Sequence, residues 1–198
     1  MSGGLHRREL VKELVKGRDR NTLMLSGLGS PCWDLNNAGD APENFYIWGA
    51  MGGAAMIGYG VARAQPDKRV IVLTGDGEML MGMGAFASIA NYPVRNLAIV
   101  VLDNGRFGET GGQKTHTSTG VTDLAGIAKA SGIATTATIT QESEIGKLKE
   151  LAFKAPGPVV AVAKVQYEKL KFVLPANSGG YLKDRFRNAI LGVDRAQM

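Results

Sequence analysis

A chain of 198 residues, 44% hydrophobic and 21% charged, has room for one α/β domain with a sizeable core and is too short for two large ones. Its longest unbroken apolar run, Leu97 to Leu102, is far below membrane-spanning length, and its charged N-terminus lacks an apolar signal-peptide centre, so a soluble, cytoplasmic protein without a membrane partner is expected. The net charge of +5 is concentrated at the two ends, which argues against a nucleic-acid groove, and the single Cys32 excludes both an intrachain disulfide and a multi-cysteine metal site.

The first twenty residues read as an amphipathic helical extension, with Leu10, Val11, Leu14 and Val15 at helical spacing over Leu5 to Lys16. The main domain is expected over residues 21–165. It begins with a short buried strand, Thr22 to Ser26, followed by a loop over Gly27 to Pro31 and an extended piece from Asn44 to Trp48. Ala50 to Ala64 is small or apolar almost throughout and predicts a buried helix that stops before Pro66. Arg69 to Thr74 and Asn96 to Leu102 are continuous apolar strands, the pattern of a sheet covered on both faces, and Glu78 to Tyr92 predicts the crossover helix between them. Helices over Val121 to Ser131 and Gln141 to Phe153 alternate with strands over Ile133 to Ala137 and Pro158 to Val165. This alternation predicts an α/β fold with a doubly wound, mostly parallel sheet and helices on both faces. Residues 166–198 read as a tail with one helix, Tyr181 to Leu191.

Ligands of open parallel sheets bind outside the carboxyl ends of the strands. The two best-defined strands end in Gly75-Asp76-Gly77 and Asp103-Asn104-Gly105, which presents Asp76 and Asn104 side by side. The Gly77 and Glu78 amides open the next helix, where free N–H groups favour a phosphate. A carboxylate, an amide oxygen and diphosphate oxygens are hard donors of the kind Mg²⁺ takes, so metal-bridged diphosphate binding is the reading. Gly-Asp-Gly alone would be an ordinary tight turn; its position at a buried strand tip, with 25 residues between Gly77 and Asp103, gives it weight.

With these motifs the sequence resembles the thiamine diphosphate-dependent enzymes, whose signature is Gly-Asp-Gly, a helix and strand, then an asparagine pair. Asp103-Asn104 stands at the pair, so Asp103 departs from the pattern while Asn104 keeps the metal-ligand position. The resemblance implies thiamine diphosphate and Mg²⁺ as cofactors, with Asp76, Asn104 and the Arg106 carbonyl as metal ligands. It also implies a cofactor site that includes Gly75, Gly77, Glu78, Phe107 and Gly108. Trp48-Gly49-Ala50-Met51-Gly52 resembles the segment in which a glycine carbonyl, here Gly49, accepts from the cofactor's 4′-amino group, while Met51 wedges it into a bent shape. The resemblance runs from about Thr22 to Val165. Ala41 to Tyr46 and Gly111 to Thr117 look most similar to the β subunits or C-terminal halves of sulfopyruvate and phosphonopyruvate decarboxylases.

In that family the glutamate that activates the cofactor comes from a separate pyrimidine-binding domain, for which this chain has no room. The resemblance therefore implies a pyrimidine-binding α subunit, an α/β hetero-oligomer, and decarboxylation of a small 2-oxo acid to CO₂ and an aldehyde. His116, Glu109 and Gln113, in the loop after the metal motif, are candidates for proton transfer and substrate hydrogen bonding. Where an Arg-Glu pair would be expected, the chain has Cys32-Trp33-Asp34, which removes a guanidinium anchor for a sulfonate or phosphonate. An acetolactate synthase-like carboligase shares every step up to product formation and stays open. So does a non-catalytic diphosphate-binding module; a dinucleotide binder is disfavoured because no Gly-x-Gly-x-x-Gly turn follows a strand.

Overall fold

The computed structural model describes residues 4–197. In chain order the elements are α1 (Arg7–Val15), β1 (Thr22–Ser26), α2 (Ser30–Ala38), β2 (Asn44–Tyr46), α3 (Ala54–Ala64), β3 (Arg69–Gly75), α4 (Asp76–Met81), α5 (Ala85–Asn91) and β4 (Leu97–Asp103). They continue with the short strands β5 (Arg106–Phe107) and β6 (Gln113–Lys114), then α6 (Leu124–Ala130), β7 (Thr135–Ile139), α7 (Ile145–Phe153), β8 (Val159–Lys164), α8 (Gly179–Leu191) and α9 (Val193–Ala196).

Six strands form one parallel sheet in the order β2-β1-β3-β4-β8-β7, and β5 pairs with β6 as a separate antiparallel hairpin. Every pairing in the large sheet is parallel. Side chains of a strand alternate between faces, and here both faces are covered. Val70 and Val72 of β3, with Ile99 and Val101 of β4 and Val160 and Val162 of β8, meet α3, α5 and α6. Ile71, Leu73, Val100, Leu102, Ala161 and Ala163 face the other way, toward α1, α2 and α7. Each fully buried Val, Leu or Ile contributes about 1.5–3 kcal/mol, so the central strands are the main apolar support of the site above them. At one edge, α8 covers β2: Phe186 packs on Phe45 with ring centroids 5.2 Å apart, and an Arg185 Nη donates to the Asn44 carbonyl at 3.1 Å. That contact occupies backbone that an open edge would leave unpaired.

Several element boundaries differ from the sequence expectation. The segment read as a loop at Gly27 to Pro31 enters a helix at Ser30, with Pro31 in its first turn, where a missing N–H costs nothing. α3 begins at Ala54, after a turn in which Gly52 takes φ +89°. The crossover expected as one helix from Glu78 to Tyr92 is two, divided at Gly82-Met83-Gly84, where two residues of poor helix propensity stand close together. α1 buries Leu10, Val11 and Leu14 in the same core as α2 and α7. Among the described residues no helix is long and apolar enough to cross a membrane.

Candidate functional site

The chain passes from β1 outward to β2 and then returns to place β3 on the other side of β1. Such a reversal opens a crevice at the carboxyl ends of the neighbouring strands. A cleft of about 110 Å³ lies there, and its wall includes Leu28 to Pro31 after β1, Gly75 to Glu78 at and after the end of β3, and Leu102, Asn104 and Arg106 to Thr110 at and after β4. Pairing of Gly75 with Leu102 in adjacent strands brings Asp76 and Asp103 together at the carboxyl end of the sheet.

Asp76 is 2% exposed. Its Oδ2 accepts from the Thr115 hydroxyl at 2.5 Å and lies 3.2 Å from the Thr117 hydroxyl, which also lies 2.7 Å from Asp103 Oδ1. Asp103 Oδ2 accepts from Lys164 Nζ at 2.5 Å, across the β4–β8 pairing of the two residues. The asparagine-to-aspartate departure at position 103 is thus matched by a cation on the neighbouring strand. Burial pushes the Asp76 carboxyl above its ordinary value; the Thr115 hydroxyl pulls it back and the Asp103 charge adds to the rise. A divalent cation at Asp76 would offset that cost, so the donor set fits Mg²⁺.

Asn104 lines the cleft, and its Oδ1 accepts from the Arg106 amide at 2.7 Å, which fixes the side-chain orientation. The Arg106 guanidinium donates to the Gly112 carbonyl at 3.1 Å and sits 5.9 Å from the Tyr167 ring centre, so this side chain is anchored on the hairpin. Among the described residues no group of three or more His, Cys, Asp or Glu is placed to hold a metal. The expected set, one carboxylate, one side-chain amide and one backbone carbonyl, would have the oxygen-only chemistry of Mg²⁺ rather than of zinc.

Neither of the two glycines that flank Asp76 takes a positive φ. Gly77 is required by closeness instead: a Cβ there would lie 2.5 Å from the Phe107 ring. Glu78, 4% exposed, accepts from the Thr74 hydroxyl at 2.9 Å, and its Oε1 has no hydrogen-bond partner among the described residues. Burial raises its pKa, and the Thr74 hydroxyl opposes the rise. Its carboxyl runs under the loop after β1, where a Cβ on Gly27 would come within 1.6 Å of Oε2.

Of the residues expected to hold the cofactor, Gly75, Asp76, Gly77, Glu78, Asn104, Arg106, Phe107 and Gly108 line the cleft together with Met51. Gly49 and Ala50 stand exposed on the turn beside Met51, which is itself 39% exposed, and no atom lies within 4 Å of a Cβ built on Gly49. The two proton-transfer candidates, Glu109 and His116, and the hydrogen-bonding candidate Gln113 are separated. Glu109 lines the cleft, its pKa raised by burial and drawn back by Arg7. Gln113 is exposed and bound to Thr110, with Nε2 donating to its carbonyl at 2.7 Å; His116 is exposed on the 3₁₀ turn His116–Thr119, away from the cleft lining.

A guanidinium does reach the cleft wall, from the N-terminal helix, which was expected as an extension outside the cofactor domain. Arg7 of α1 forms a buried ion pair with Asp34, and Arg8 Nε donates to the other Asp34 oxygen at 2.9 Å. Asp34 was visible only as part of an atypical tripeptide, and the helix that buries it was not expected: its first two residues were read as loop and the rest was assigned to no element. Trp33 is buried and tilts against Phe172 at 4.2 Å between ring centres, so it closes the core beneath the returning C-terminal segment.

The model of the thiamine pyrophosphate enzyme C-terminal TPP binding domain matches residues 34–163. The sulfopyruvate decarboxylase subunit beta of Methanocaldococcus jannaschii is 34% identical over 81% of this chain and 85% of its own length. The same subunit of Methanococcus maripaludis is 32% identical over 94% and 98%. The phosphonopyruvate decarboxylase of Streptomyces viridochromogenes is 33% identical over 76% of this chain, which spans only 37% of that protein. Among solved structures, a putative thiamin diphosphate-dependent enzyme from Mycobacterium smegmatis superposes with a TM-score of 0.71 at 21% identity, covering 83% of this chain and 32% of that one. The 4-hydroxybenzoylformate decarboxylase of Rhodococcus jostii RHA1 gives 0.69 at 19% identity, covering 86% and 34%. At these identities the likeness is one of fold.

Proposed function

This chain belongs to the thiamine pyrophosphate enzymes, and from that premise we infer that it is the cofactor-holding subunit of a two-subunit, cytoplasmic 2-oxo acid decarboxylase. The observation that carries the reading is the delivery of buried Asp76 and of Asn104, from two adjacent parallel strand tips, to one cleft at the reversal point of the sheet. Asp76, the Asn104 amide oxygen and the Arg106 carbonyl would hold Mg²⁺, and the Gly77 and Glu78 amides would face the diphosphate. Thiamine diphosphate, when bound, supplies a nucleophilic carbon and an electron sink for loss of CO₂ from a 2-oxo acid.

The remaining work falls to the protein. Gly49 offers a carbonyl to the aminopyrimidine, and Met51 supports the bent cofactor. Both stand at an exposed turn, as expected of a surface that a second subunit covers. Glu109, with its raised pKa and its place in the cleft wall, is the group of this chain best situated to hold a proton near the reacting carbon. The activating glutamate comes from the partner. Support for this division comes from the subunit beta relatives, which this chain matches over most of their length, and from the phosphonopyruvate decarboxylase, of which it spans about a third.

Two measurements test the reading. Asp76→Ala is expected to abolish Mg²⁺-dependent thiamine diphosphate binding in the assembled complex, and unchanged affinity by calorimetry would contradict the metal assignment. The purified single chain, given cofactor and Mg²⁺, is expected to release no CO₂ from 2-oxo acids until the partner is added; turnover without the partner would refute the division of the site.

A further inference from the structure

Thr115 and Thr117 lie beyond the Gly-Asp-Gly and Asp-Asn motifs, after the β5–β6 hairpin, yet both are buried, at 3% and 4% exposure, against the carboxylates of those motifs. Their hydroxyls are 3.0 Å apart. Each hydroxyl has one proton. The distances allot them: Thr115 donates to Asp76 Oδ2 at 2.5 Å, and Thr117 donates to Asp103 Oδ1 at 2.7 Å, nearer than its 3.2 Å approach to Asp76. Lys164 completes the chain at Asp103 Oδ2. Asp76 therefore has one oxygen fixed from the side of residues 115–117, while no side chain among the described residues donates to its Oδ1.

We propose that Thr115 is a positioning residue for the metal. Its hydroxyl holds Oδ2 and so turns Oδ1 of Asp76 toward the cation, while Thr117 holds the neighbouring Asp103, whose other oxygen accepts from Lys164. Hydrogen-bond partners of a ligating carboxylate set its orientation and basicity, and their removal typically costs about 10–100-fold in metal affinity. The loop geometry gives the threonines a fixed approach: the Thr115 amide donates to the Gly105 carbonyl at 2.9 Å, and the Ser118 hydroxyl donates to the Thr115 carbonyl at 2.7 Å. The hairpin and the 3₁₀ turn after it, which bear none of the predicted ligand side chains, thereby take part in metal binding.

This inference rests on the proposed Mg²⁺ and thiamine diphosphate site. Its test is titration of Mn²⁺ into the complex assembled with its partner subunit, at saturating thiamine diphosphate, with bound metal read from loss of the free Mn²⁺ paramagnetic resonance signal. Thr115→Val, which keeps the shape and removes the donor, is expected to weaken Mn²⁺ binding by about 10–100-fold. Thr115→Ser, which keeps the donor and removes a methyl, is expected to stay within a few-fold of the parent. Melting of the metal-free complex separates orientation from packing: the affinity loss should follow the hydroxyl across the two variants, whatever the order of their melting temperatures. Parent-like Mn²⁺ affinity in Thr115→Val, or equal loss in Thr115→Ser, would overturn the positioning role while the cofactor reading stands. Absence of Mn²⁺ binding by the parent complex would overturn both.

Discussion

Removing the carboxylate of Asp34 tests how the first helix is held against the cleft. The Asp34 side chain is wholly buried, that of Arg7 is 3% exposed, and that of Arg8 is 14% exposed. In Asp34→Ala, Arg8 can relax toward water, but Arg7 is left charged and enclosed, with its Nε already lacking a partner. Breaking one side of a buried pair costs about 3–5 kcal/mol, because the stranded charge has lost both water and its counter-ion. At roughly 2–4 °C per kcal/mol for a chain of this size, the melting temperature should fall by about 6–20 °C. Urea unfolding followed by tryptophan fluorescence measures the loss directly, since Trp33 adjoins the site. The double variant Arg7→Met/Asp34→Leu removes both charges, and it should recover most of the stability, because well-packed apolar pairs commonly replace buried ion pairs without loss. A cost below about 1 kcal/mol in Asp34→Ala, or a double variant as unstable as the single one, would refute the reasoning.

Gly27→Ala drives a methyl into the space of the Glu78 carboxyl and should destabilise by about 1–3 kcal/mol, part of which Glu78→Ala restores in a double-mutant cycle; strictly additive losses would show that the two do not meet. Phe86→Ala empties a fully buried position between the sheet and its helices, and a loss of about 3–5 kcal/mol by urea unfolding is expected. The hydrogen bond that the His6 ring donates to Glu168, and then the Glu168 charge, raise the pKa of His6 above the ordinary 6.5. A raised histidine stabilises the fold below its unfolded value and loses that contribution as pH rises through the folded one, so protection of the 166–172 backbone from hydrogen exchange should decline across that interval. The decline should vanish in His6→Ala, and an unchanged profile in that variant would remove His6 as its cause.

Much of the central sheet was legible because its signal is local and redundant. Val70 to Leu73 and Leu97 to Leu102 are unbroken apolar runs, and few structures other than strands buried on both faces use them. The meeting of Asp76 and Asn104 at one cleft was legible for the related reason that both follow the tips of those two strands. The second helix was not, because Ser30 to Ala38 mixes proline, cysteine, tryptophan and two asparagines, and its stability comes from tertiary contacts such as the Arg7–Asp34 pair. The threonines after the hairpin were quoted as part of a familiar stretch but given no role: contact between Thr115 and Asp76 joins residues 39 apart, and neither periodicity nor composition reports it. His116, between them, drew notice for its side chain alone, and the fold turns that side chain outward.

Both predicted metal-ligand side chains follow strands joined by a single crossover, residues 69–103, while the opposite wall of the cleft hangs from a strand laid down earlier in the chain. One strand pairing, Gly75 with Leu102, fixes the tips that carry those side chains relative to one another. The loop after the first strand can then change in what it admits without moving them. Selectivity can drift in lineages where the anchor itself stays put.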